Sequence, residues 1–181
     1  MKQKSIPIND LCTIPLFTAI IAVMAQIIIP MPFGVPMTLQ TLAIMLAGVL
    51  LGAKKAVIST MLYILLGAVG VPVFAGFTGG FGIMFGPTGG FILSFPFLAL
   101  VAGLGAEKSS KYLLWIGLAA GVSTNYLCGV VYFSLYTSND LLTSFYACVL
   151  LFIPTDIFKI IIAGLLGLKI RSLLTQGTIS I

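Results

Sequence analysis

The chain has 181 residues, of which 60% are apolar and only 7% charged, with nine Lys or Arg, four Asp or Glu and a mean hydropathy of +1.21. A water-soluble domain carries roughly a quarter charged residues, so this composition excludes one and predicts an integral membrane protein. With no His, and three Cys (Cys12, Cys128, Cys148) in no paired spacing, the chain also lacks the commonest general base and the usual metal-ligand sets, and no metal or cofactor is expected.

A spanning helix needs ~20 apolar residues plus a connection, so the length holds about six spans. The expected fold is an all-α membrane protein forming one domain over residues 1–181. The first apolar run is Leu11–Ile29. Val23-Met24-Ala25 is a passable signal-cleavage site, but cutting there would leave Ile27, Ile28 and Ile29 in the same run, so the run reads as an uncleaved span. Met37–Leu51 and Ala56–Gly70 follow, each only fifteen residues long, which implies extended ends or a thinned or water-filled surround. Phe91–Ala106, Tyr112–Tyr136 and Ile153–Ile170 complete the six. Leu141–Phe152 reads either as an interfacial helix or as the first turns of a last span kinked at Pro154.

Charge placement sets the orientation. Lys2 and Lys4 precede span one, Lys54 and Lys55 separate spans two and three, Lys108 and Lys111 separate four and five, and Lys169 and Arg171 follow span six. All lie on one side, the cytoplasmic side by the positive-inside rule, so both termini are expected there. Asp10 and Glu107 fall at the same edge and Asp140 in an outer loop.

Only Asp156 and Lys159 then remain inside the membrane. Their i, i+3 spacing puts them on one helix face, where an exposed pair recovers a few tenths of a kcal/mol against ~3 kcal/mol for each charge at a helix centre. A structural ion pair alone does not balance that, and a cavity or a polar ligand would. At 1.5 Å per residue from Lys169, Lys159 lies ~15 Å and Asp156 ~20 Å from the cytoplasmic edge of a ~30 Å core. Thr38, Gln40 and Thr41 of span two, Ser94 of span four, and Asn125 and Tyr126 of span five reach the same level, which predicts an outward-facing ligand cavity.

The outer connection Gly70–Gly90 between spans three and four carries eight of the twenty glycines, interleaved with Phe74, Phe77, Phe81 and Phe85. Phosphate-loop patterns are absent. An uncharged aromatic segment is no ordinary linker; it reads as a lid or re-entrant loop whose aromatics wall the cavity.

Four motifs in this order are distinctive: Val35-Pro36-Met37-Thr38-Leu39-Gln40-Thr41 leading to Leu46-Ala47-Gly48; Gly70-Val71-Pro72-Val73-Phe74; Phe85-Gly86-Pro87-Thr88-Gly89-Gly90; and Ile153-Pro154-Thr155-Asp156-Ile157-Phe158-Lys159. They closely resemble the BioY family, the biotin-binding S components of energy-coupling factor (ECF) transporters, from about Leu11 to Arg171. Tyr126 and Gly129 fit a family Tyr-x-x-Gly pattern, with Tyr132 where Trp is often expected; Thr78 and Ile92 stand where some members have Asn and a basic residue. The resemblance implies that Asp156 and Lys159 help bind biotin under the glycine-rich loop. The candidate biotin-binding set is Asp156, Lys159, Thr78, Gly79, Tyr126, Asn125, Gln40 and Thr88.

The resemblance also implies a bacterial inner-membrane setting and partners: a transmembrane coupling protein and two ATPases. Thr18 and Ala22, with Ala19 and Ala25 nearby, resemble the small-residue motif by which such components dock, against the alternative of ordinary intramolecular packing. Other readings are an S component for another vitamin, an intramembrane enzyme using Asp156 and Lys159 as a catalytic pair, and a self-assembling channel. The enzyme reading lacks a nucleophile with an adjacent base, and the channel reading lacks a polar stripe through the inner half.

Overall fold

The computed structural model describes residues 8–31, 35–108 and 110–176. Lys2 and Lys4 lie outside this set. The order is α1 (Ile8–Met24), a short ribbon of β1 (Ile28–Ile29) and β2 (Met37–Thr38), α2 (Gln40–Leu51), α3 (Ala53–Ala68), α4 (Phe81–Met84), α5 (Gly89–Glu107), α6 (Lys111–Thr137), α7 (Leu141–Phe145) and α8 (Ile153–Gln176). By length and apolarity α5 and α6 can each cross a membrane, and α7 with α8 forms a third, bent candidate; α1 and α2 are apolar but shorter.

The first apolar run is not helical to its end. The helix stops at Met24, the chain turns through Ala25 and Gln26, and Ile28–Ile29 pair antiparallel with Met37–Thr38. Three consecutive isoleucines suit a strand as well as a helix, and the Pro30 that follows bars any continuation.

The second run yields a helix of only 12 residues, ~18 Å long, which occupies the middle of the bundle and buries nine of them. It packs against α1, α3, α5 and α8. Gly52 joins it directly to α3 in a left-handed conformation (φ +79°), and Glu107 Oε1 accepts from the Ala53 N–H at 2.8 Å, capping α3 with a carboxylate where the helix dipole favours one. Asp10 pairs with Lys55 at 2.5 Å, and Arg171 donates to the Ala106 carbonyl. The end of the bundle where the sequence gathers its basic residues is thus tied together by polar contacts.

α5 and α6 approach closely because Gly105 faces Gly117; a Cβ at Gly117 would lie 2.7 Å from Gly105 Cα. Thr18 is 4% exposed and its Oγ1 donates to the Ser59 and Ile14 carbonyls at 3.0 Å, which locks α1 to α3. Of the two residues expected to dock a partner, Thr18 makes these contacts within the bundle, and Ala22 is half-buried and packs against the core.

Leu141–Phe152 proves to be a broken helix. α7 starts at Asp140, whose carboxylate accepts the Thr143 N–H and is held below the usual carboxylate range by its bonds to Thr143. A π-helical turn over Tyr146–Leu150 follows, and the chain bends by 50° before α8. Pro154 sits in the first turn of α8, where its missing N–H costs nothing. The break places Asp156 in that same first turn, at the positive end of the α8 dipole.

Candidate functional site

A cavity of about 320 Å³ opens between the N-terminal ends of α2, α5 and α8, the middle of α6 and the 70–90 segment, within the range of small-ligand pockets. Of the residues lining it, only Asp156 and Lys159 are charged. Both are nearly buried, at 4% and 6% exposure, and Lys159 Nζ lies 2.7 Å from Asp156 Oδ1. Tyr126 of α6 donates its hydroxyl to Asp156 Oδ2. Thr41 of α2 accepts from Lys159 Nζ at 3.2 Å and stands 3.5 Å from Asp156 Oδ1. Helix-dipole placement, a cation and a hydroxyl donor together compensate a carboxylate that the membrane would otherwise reject.

The other predicted residues divide by what already engages them. Gln40 lines the cavity, but its amide donates to Tyr63 OH and accepts from Thr38 Oγ1 at 2.8 Å, so it braces the wall. Asn125 Nδ2 donates to the Phe91 carbonyl at 3.0 Å and to Ser94 Oγ at 2.7 Å, tying α6 to α5 and leaving Oδ1 as its group for the cavity. Ser94 supports from behind, without lining the cavity. Thr78 donates to the Ala75 carbonyl at 2.9 Å, and both Thr78 and Thr88 line the mouth. Gly79 does not line it. A Cβ there would lie 2.5 Å from the Val71 carbonyl oxygen, so Gly79 allows the two arms of the loop to touch.

Gly129 earns its place in the Tyr-x-x-Gly pattern sterically: a Cβ would meet the Phe91 ring at 2.2 Å, and Phe91 is a cavity wall. Ile92 is also a wall, apolar throughout. Tyr132 donates to the Met84 carbonyl at 3.2 Å and anchors α4 to α6.

The expected aromatic lining is met by one of the four loop phenylalanines. Phe74 is 1% exposed, crosses Tyr63 edge-on with centroids 5.6 Å apart, and bounds the cavity. Phe77, Phe81 and Phe85 turn outward and are mostly exposed, the last two stacked on each other. Alternation with glycine on a segment holding only one helical turn leaves no periodicity from which facing could be read.

The sequence model of the BioY family matches residues 1–176. The chain belongs to the BioY family. It is 36% identical to the biotin transporter BioY of Thermotoga maritima, with 87% of this chain and 93% of that one aligned. It is 37% identical to the probable biotin transporter BioY of Pyrococcus horikoshii, over 94% and 98% of the two chains. The fold matches the crystal structure of the S-component for biotin from an ECF-type ABC transporter with a TM-score of 0.86, 28% identity and 95% coverage of both chains.

Two residues of this BioY family chain escape sequence reading. Tyr63, fully buried in α3, donates to the Val73 carbonyl at 3.2 Å and so links α2, through Gln40, to the root of the loop. Gln26, in the turn after α1, meets the loop with both ends of its amide. Each is one amphipathic or polar residue in an apolar run. The signal that could have found Gln26 is its isolation: it is the only Gln, Asn or charged residue between Leu11 and Ile29.

Proposed function

We infer that this chain is the substrate-binding membrane component of a biotin transporter, not an enzyme, and that it captures biotin from outside in the cavity headed by Asp156 and Lys159. The observation that carries this is the buried, charge-balanced Asp156–Lys159–Tyr126 cluster at the head of an apolar cavity, in a chain related over nearly its whole length to biotin transporters. Biotin's ureido group has two N–H donors and a carbonyl acceptor. Asp156 and the Tyr126 hydroxyl oxygen, whose own proton is held by Asp156, accept from the N–H groups, Lys159 donates toward the carbonyl, and Phe74, Phe91 and Ile92 enclose the thiophane ring. The valerate carboxylate takes the loop end, where Thr78 and Thr88 line the mouth. Asn125 Oδ1 and Gln40 fix the walls between.

The proposed arrangement is a single unit of six crossings, α1, α2, α3, α5, α6 and α8, in a bacterial cytoplasmic membrane. Both termini are cytoplasmic and the 70–90 segment is outside, following the gathering of basic residues at one end. A transmembrane coupling protein and two ATPases supply the energy, since the chain has no nucleotide-binding motif of its own.

Radiolabelled biotin should bind the purified protein saturably at one site per chain, undisplaced by riboflavin or thiamine. Absence of saturable binding would overturn the reading. Tyr126→Phe removes one hydrogen bond to a charged group, worth ~1.5–3 kcal/mol, and should weaken biotin binding by about 10- to 100-fold in an equilibrium titration while leaving the fold intact.

A further inference from the structure

Gln26 does not line the cavity, yet its side chain spans the gap between α1 and the glycine-rich segment. Nε2 donates to the carbonyls of Val73 at 3.2 Å and Phe74 at 3.1 Å while also reaching back to Ala22 O at 3.0 Å, two N–H hydrogens shared among three acceptors. Oε1 accepts from the Phe77 N–H at 2.8 Å. One amide therefore holds both sides of the turn that ends in the Phe74–Thr78 bridge.

This turn carries the cavity's mouth. Phe74 and Thr78 line it, and Phe77 at its tip is a non-glycine residue held at φ +55°. A bulky residue in the left-handed region persists only where its surroundings fix it, and the Phe77 ring is 72% exposed and packs too little to do so. The fixing contact is the bond from its N–H to Gln26. The neighbouring ties, Gly80 N–H to Gly67 O at 2.7 Å and Val71 N–H to Leu66 O at 3.0 Å, secure the base of the loop, not its tip.

We propose that Gln26 is a positioning residue that latches the 73–78 turn over the cavity mouth and thereby sets how fast ligand enters and leaves. The proposal rests on the biotin-binding reading and adds a residue that touches no ligand. It acts on kinetics: unlatching exposes the mouth without altering Asp156, Lys159 or Tyr126.

Gln26→Met keeps the side chain's length and removes every hydrogen bond. In reconstituted protein it should raise both the association and the dissociation rates of biotin, the latter at least tenfold. A variant that merely folded less well would lose binding sites but keep the wild-type dissociation rate. Amide exchange should speed up across residues 73–78 in the variant and stay unchanged at the α2–α5 contact. Gln26→Leu, which also removes both the donors and the acceptor for Phe77, carries the same expectation should the Met variant not fold. A wild-type measurement stands behind both: in ligand-free protein the Phe77 amide should exchange more slowly than that of Gly76 beside it. Wild-type dissociation rates in the variants, or a Phe77 amide exchanging as fast as Gly76, would overturn the latch. Wild-type protein that binds no biotin would overturn the ligand assignment instead, and exchange in the ligand-free state would still decide the latch.

Discussion

Asp156→Ala should abolish measurable biotin binding and also lower the melting temperature more than Lys159→Met does. Removing the carboxylate leaves the Lys159 ammonium at 6% exposure with Thr41 as its remaining neighbour, and breaking a buried pair in this way costs ~3–5 kcal/mol. Removing the ammonium is milder, because Asp156 keeps the Tyr126 hydroxyl and its place in the first turn of α8. Both single variants lose a charged hydrogen-bond partner for the ureido group, so biotin affinity should fall at least about a hundredfold in each, from ~3 kcal/mol per lost interaction. The double variant Asp156→Leu with Lys159→Met should regain much of the stability, because apolar replacements of a buried pair are often neutral or stabilising, yet bind no biotin. Thermal unfolding in detergent paired with equilibrium binding measures the two effects separately. Binding retained in either single variant would remove the pair from the site.

The second large effect comes from a residue with no polar group. Gly67→Ala puts a Cβ 2.1 Å from Phe74 Cζ and 2.3 Å from Cε1, which the ring cannot tolerate. Phe74 cannot retreat along the loop, because its carbonyl and that of Val73 are held by Gln26 and Tyr63, and the Tyr63 ring stands across it. The ring must then tilt into the cavity. In an exposed helix Gly→Ala would stabilise by ~1 kcal/mol, whereas overpacking here should destabilise by ~1–3 kcal/mol and reduce biotin affinity tenfold or more. The sign alone is informative. Adding Phe74→Val should return stability, and part of the affinity, by vacating the contested volume.

Much of the fold was legible because the membrane enforces simple rules. The runs Phe91–Ala106 and Tyr112–Tyr136 match α5 and α6 to within two residues at each end, since Lys residues and glycines bound them. Asp156 and Lys159 stood out because two charges inside an apolar span require a reason. What stayed hidden followed from the same physics. Ile27–Ile29 look alike whether helical or extended, so from the sequence alone β1 reads as the end of a span. Tyr63 and Gln26 matter through the carbonyls they reach, which no side-chain pattern records. The small Thr18 reaches the Ser59 carbonyl of α3, a contact that its spacing in the sequence does not record.

The near-neutral head of the cavity has an electrical consequence. Asp156 and Lys159 cancel, and no other lining residue is charged. Biotin's carboxyl, with an ordinary pKa near ~4, arrives ionised at neutral pH. Loaded with biotin as proposed, the cavity would carry one net negative charge, and empty it would carry none. Carrying that charge across to an inside-negative face would cost about 2.3 kcal/mol per 100 mV. On the proposed biotin reading, uptake therefore runs against the membrane potential, and its rate should increase when the membrane is depolarised at constant ATP.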